Sequence, residues 1–278
     1  MQFQHIFNEI KKVDPELPER LSDRRTAMKS FAGIGAKIGL AAMPFLIGSI
    51  FKKAYAQSGP SQGVVLDVLN YALTLEYLEA EFYAMGIAKG TALVPAGAPA
   101  NAIKTIGDHE TAHVNFLKTA ITAAGATPVA KPAFDFTAGG AFADVFTNYA
   151  TFLAVAQTFE DTGVRAYKGR AAEITGGGDV LTAALNIHSV EARHAAHIRS
   201  MRKANNFGNV KPWITGKESG IGAVVQASYD GEELSTQAGV TIVNINGTNI
   251  SAAAATEAFD EGLTKEQVLA IVGPFIVQ

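Results

Sequence analysis

From Gly63 to about Asn205 the apolar positions recur in alternating steps of three and four, the spacing of one face of an α-helix. The first segment places Leu66, Leu69, Leu73, Glu76, Ala80, Tyr83 and Ile87 on one stripe. A second, opening after Pro99, places Ile103, Ile106, Glu110, His113, Leu117, Ala120 and Ala124 together. The third carries Phe146, Tyr149, Leu153, Ala156, Glu160, Gly163 and Tyr167. The fourth, with Asp179 as its predicted N-cap, carries Ala184, Ile187, Glu191, His194, Ile198 and Met201. Every stripe turns polar near its middle. Surface charge would fall on the opposite face, so these polar residues are expected inside.

The chain breakers set the connections. Gly90 to Ala100 joins the first two helices and Gly176-Gly177-Gly178 joins the last two, whereas Gly125 to Gly140, with Pro128 and Pro132, is long enough to run the length of a bundle. Helices of roughly 25 residues would be nearly 40 Å long at about 1.5 Å per residue. The predicted fold is therefore all-α: a four-helix bundle of two antiparallel hairpins with one long crossover, the ferritin-like connectivity. An internal repeat supports it. Glu76 and Tyr83 precede Glu110-x-x-His113 in one hairpin, Glu160 and Tyr167 precede Glu191-x-x-His194 in the other, and the Glu-to-Glu separations are 34 and 31.

Four carboxylates gathered in a dry seam would each cost several kcal/mol without a partner. Two divalent cations remove that cost. A Glu and a His three apart point to the same side of a helix, so each E-x-x-H pair offers one oxygen and one nitrogen. Glu76 and Glu160 would bind or bridge from the opposing helices. Glu76, Glu110, His113, Glu160, Glu191 and His194 are thus the expected ligands of two iron or manganese ions, a set known from di-metal bundle proteins. Tyr83 and Tyr167, two turns beyond the lone glutamates, are candidates to bond a carboxylate or pass an electron, with core packing as the alternative. Glu79 is either a further ligand or, like Glu81, a flank residue. His109, His188 and His197 fall off the seam or at its edge, as solvated or supporting groups.

Composition narrows the chemistry further. The chain has no cysteine, which excludes disulfides, thiolate zinc sites and iron–sulfur ligation. Its net charge of −3 is unevenly spread: residues 1–56 hold nine Lys/Arg against five Asp/Glu, and the remainder fourteen against twenty-one. An acidic body argues against a nucleic-acid partner. The basic head contains Asp23-Arg24-Arg25-Thr26-Ala27-Met28-Lys29, then a mildly apolar run from Phe31 to about Phe51, then Ala54-Tyr55-Ala56. It resembles a twin-arginine export signal, with Asp23 and Ala27 departing from the pattern and Met28 and Lys29 fitting it. The resemblance implies transient contact with the twin-arginine export machinery and a folded, periplasmic or extracellular product starting at Gln57. An uncleaved signal would instead be a membrane anchor.

The domain reading is accordingly a signal over 1–56, a linker over 57–62, the bundle over 63–206 and a small irregular C-terminal extension over 207–278. In the extension a strand-like run is predicted at Val240 to Ile245, and helical pieces at Ser251–Glu261 and Thr264–Ile271. Its apolar ending, Val268 to Val277, is expected to pack on the bundle or on a second subunit, which would make a homo-oligomer.

The run Leu69-Asn70-Tyr71-Ala72-Leu73-Thr74-Leu75-Glu76-Tyr77-Leu78-Glu79-Ala80-Glu81-Phe82-Tyr83, with Asp108-His109-Glu110-Thr111-Ala112-His113 and Ser189-Val190-Glu191-Ala192-Arg193-His194, resembles the ferritin-like superfamily. The likeness extends over about 64–205 and is to exported members related to the plant desiccation-related proteins. It implies the fold, and an oxidoreductase acting with dioxygen or peroxide as ferroxidase, peroxidase or catalase. Two alternatives stand beside that reading. One is a non-enzymatic envelope or stress-protective protein; the other is a zinc hydrolase using the His109-Glu110-x-x-His113 string.

Overall fold

Ser61, in extended conformation, accepts a hydrogen bond from Val64 N at 3.4 Å and starts the first helix, α1, Gln62–Ala88. The computed structural model describes residues 60–277 apart from 238, and the signal and its cleavage point lie outside these residues. Gly97, at φ 86°, and Pro99 in the first turn open α2, Ala98–Ala123. Asn148 caps α3, Tyr149–Ala171, by accepting from Ala150 N at 3.0 Å. The fourth helix, α4, spans Asp179–Ala204. Its N-cap is Gly178 at φ 54°, and Asp179 is the first helical residue. This corrects the predicted cap. Only glycine takes that left-handed turn freely, and the aspartate one position on still faces the positive helix end.

The helices pair as two hairpins, α1 with α2 and α3 with α4. The crossover from Gly125 to Asn148 runs along α1, where Val129 N donates to Asn70 Oδ1 at 2.8 Å and Lys131 pairs with Glu81. It then inserts Phe136 between Phe82 and Phe159, in a core that also holds Phe152 and Leu153.

Burial divides the helices in a way the single stripes do not anticipate. On α2 and α4 one stripe is buried, from Ile103 to Ala120 and from Ile187 to Met201. On α3 every residue from Phe152 to Ala166 is buried, and α1 is nearly as enclosed from Val68 to Tyr83. These two helices carry further layers on their backs: the crossover on α1 and the C-terminal extension on α3. At the stripe ends Ile87 is 39% exposed, because it lies beyond the layers that cover the middle of α1.

The extension is irregular and held by buried polar contacts. It contains a two-residue strand pair, β1 Thr236–Gln237 and β2 Val240–Thr241, and two short helices, α5 Ala252–Thr256 and α6 Lys265–Val272. The predicted strand beyond Thr241 is not formed, since Ile245–Gly247 is a 3-10 turn that begins after a left-handed Asn244. Arg165 on α3 pairs with Glu232 at 2.7 Å and donates to Ser228 O at 2.6 Å and Glu261 O at 2.8 Å. Asp161 holds Arg199 and accepts from Tyr229 Oη at 2.8 Å. Where Gly262 and Leu263 cross α3, a Cβ on Gly169 would come within 1.9 Å of Leu263 O, so only glycine lets this chain pass. The C-terminus returns to the core, with Phe275 against Phe142 and Phe159 and a bridge between Phe134 and Ile276. Among the described residues no helix is long and apolar enough to cross a membrane.

Candidate metal centre

The long helices bring their polar positions to one level. Glu76, Glu110, Glu160 and Glu191 are fully buried, and His113 and His194 are 9% and 5% exposed. Two groups form, each with ligand-capable atoms within 4.8 Å of one another. One is Glu76, Glu110, His113 and Glu191; the other is Glu110, Glu160, Glu191 and His194. All six expected residues are thus brought together. The two glutamates common to both groups are Glu110 and Glu191, from the E-x-x-H pairs, whereas Glu76 and Glu160 each belong to one group. Glu110 and Glu191 thus stand where both groups could use them, and Glu76 and Glu160 where one could.

The atoms converge without satisfying each other. His113 Nδ1 lies 3.0 Å from Glu76 Oε2, 3.0 Å from Glu110 Oε2 and 3.2 Å from Glu191 Oε1. His194 Nδ1 lies 2.7 Å from Glu110 Oε1 and 3.2 Å from Glu160 Oε2. Yet His194 Nδ1, Glu110 Oε1, Glu160 Oε2 and both oxygens of Glu191 are buried with no hydrogen-bond partner of proper geometry. Such orphaned groups are rare in native interiors, and here they face a common space. The chemistry of the donors, hard oxygens and imidazole nitrogens, fits iron, manganese or zinc.

A family model of the ferritin-like domain matches residues 65–204. The chain belongs to the ferritin-like domain family. The match spans the four helices and stops at the extension. Neither the curated proteins nor the solved structures yield a match to this chain.

The electrostatics of this ferritin-like centre follow from burial opposed by the two imidazoles. Burial raises Glu76 to about 7 despite the help of His113. It also raises Glu160, and it drives Glu191 well above the carboxylate range, where Glu110 adds repulsion. Glu110 moves the other way. Burial disfavours its charge too, but the His113 and His194 imidazoles beside it overcome that and hold it at about 2. Burial opposes the charge of His194, yet Glu160 and Glu110 hold it up at about 11, and His113 is raised further by Glu110, Glu191 and Glu76. Divalent cations in place of those protons would serve the same carboxylates.

Around these six the fold adds supporting groups. Tyr83 donates to Glu160 Oε1, and Tyr167 donates to Glu76 Oε1 at 2.5 Å, so each tyrosine serves the lone glutamate of the other half. Burial pushes both phenols well up. His109, exposed on the outer side of α2, sets its Nδ1 3.0 Å from His194 Nε2 with the rings stacked at 5.2 Å. A proton on His194 Nε2 shared with that nitrogen leaves Nδ1 free to face the seam. His188 and His197 are not brought into the cluster. Glu79, at 3% exposed, is buried beside it, whereas Glu81 is partly exposed and paired with Lys131.

Proposed function

We propose that this ferritin-like protein holds two iron or manganese ions and uses them in an oxidoreductase reaction with dioxygen or peroxide, as a ferroxidase, peroxidase or catalase-like scavenger. The convergence of buried carboxylates and imidazoles from four helices, with atoms of Glu110, Glu160, Glu191 and His194 left without a hydrogen-bond partner, carries this reading. Glu76 and His113 would hold one ion, Glu160 and His194 the other, with Glu110 and Glu191 shared. A metal pair bound there would supply two one-electron centres side by side. The chain's own work is positional: Tyr83 and Tyr167 fix Glu160 and Glu76, His109 orients His194, and the apolar seam on either side excludes water.

The zinc-hydrolase alternative needs His109 and His113 on one ion with Glu110 left free as a base. Here His109 bonds His194, and Glu110 lies between both imidazoles, which favours the two-metal reading. The non-enzymatic alternative keeps the same centre without turnover. Export through a twin-arginine pathway, with a role in metal handling or oxidative or desiccation stress in the cell envelope, is part of the proposal.

Protein loaded with Fe(II) or Mn(II) should bind two ions per chain and consume dioxygen or hydrogen peroxide. Two bound ions without consumption would favour the non-enzymatic reading, and no bound ion would end the metal centre. For export, replacing Arg24 and Arg25 with Lys should trap the precursor inside the cell. Normal export of that variant would remove the twin-arginine reading.

A further inference from the structure

Glu79 lies three residues after Glu76 on α1 and points to the same side of the helix. It is 3% exposed, and among the described residues no hydrogen-bond donor or cation serves it. Glu81, by contrast, has Lys131. The carboxyl of Glu79 has a place because of one glycine on the facing helix. A Cβ on Gly163 would lie 3.3 Å from Glu79 Oε1 and 3.1 Å from Glu191 Oε2, so both carboxylates occupy the space that the missing side chain leaves. Neither oxygen of Glu191 has a hydrogen-bond partner. Together with Gly163, Glu79 lines a small cleft whose other walls are Leu75, Leu78, Phe159, Thr162 and, from α6, Val272. These walls offer little to solvate a carboxylate. Ionised carboxylates only accept hydrogen bonds, so Glu79 and Glu191 ionised side by side would need a cation beyond the His113 imidazole that lies 3.2 Å from Glu191.

We propose that Glu79 is a fifth carboxylate of the centre, placed to share a divalent cation with Glu191. The inference rests on the two-metal reading and deepens it: Glu79 stands outside both four-residue groups and joins them through Glu191.

The test is a titration of the metal-free protein with Co(II), followed by absorbance and calorimetry. Glu79→Gln keeps the shape and removes the charge, and it should weaken the weaker-bound ion by about tenfold or more. Gly163→Ala, which crowds both carboxylates, should weaken it in the same direction, and Glu81→Gln should leave the titration unchanged. Circular dichroism establishes that each variant is folded; should Glu79→Gln fail to fold, Gly163→Ala decides. Wild-type Co(II) affinities in folded Glu79→Gln, or in Gly163→Ala where that variant decides, overturn the inference while the centre stands. A wild-type protein that binds no Co(II) overturns the centre itself.

Discussion

Tyr167 on α3 donates to Glu76 on α1 at 2.5 Å, and Tyr83 on α1 makes the reciprocal contact to Glu160 on α3. The two halves of the bundle are stitched together by these bonds. Each lone glutamate is thereby held by the helix that faces it.

Tyr83→Phe should leave the bundle folded but strip Glu160 of that donor. A buried acceptor left unsatisfied costs about 1–3 kcal/mol. Metal affinity should fall about 10–100-fold, the usual effect of losing a group that orients a ligand. Tyr167→Phe should behave alike through Glu76. Thermal melts of the metal-free forms and Co(II) titrations measure the two effects separately.

Metal should stabilise the fold, because an ion binds the assembled ligands and not the unfolded chain. The gain is about 2.7 kcal/mol at a hundredfold excess over Kd. Glu110→Ala and Glu191→Ala should lose this gain, and metal-free Glu191→Ala should melt no lower than the metal-free wild type, since a buried carboxyl with no hydrogen-bond partner is gone. Equal destabilisation of the mutants with and without metal would contradict the site.

The metal-free protein should lose stability as pH rises from about 4.5 to 7. Glu76 is raised in the folded state from 4.5 to about 7, so the folded state binds more protons there than the unfolded one. Glu191 and Glu160, also raised, act in the same sense. Glu110 is opposite: held at about 2, it adds stability above its ordinary 4.5 that is lost as pH falls toward 2. Metal replaces the protons, so metal affinity should increase over the same rise in pH. Melting temperature against pH, with and without Mn(II), tests both slopes.

Glu232→Ala should uncouple the extension from α3. It would leave the Arg165 guanidinium, 1% exposed, without its carboxylate. Breaking a buried pair on one side costs about 3–5 kcal/mol. Limited proteolysis should then cut near residues 228–234 before it cuts the helices.

The bundle and the six seam residues were legible in the sequence because a helix has a fixed period. Steps of three and four place Glu110 with His113 and Glu191 with His194 on one buried face whatever surrounds them, and the repeat of Glu, Tyr and E-x-x-H showed that the halves correspond. Periodicity says which face a residue occupies but not what stands opposite. Only the fold could therefore show that Tyr83 serves Glu160 rather than Glu76, that Glu110 and Glu191 belong to both four-residue groups, and that His109 backs His194. The same limit hid Asp161, Arg165 and Arg199, whose partners come from other helices and from the extension that closes over α3. It also left Glu79 ambiguous, since α1 is enclosed nearly all round and no single stripe could say so. A helix's period is a property of its own backbone, whereas the partner across a packed interface is decided by distant chain segments meeting in space.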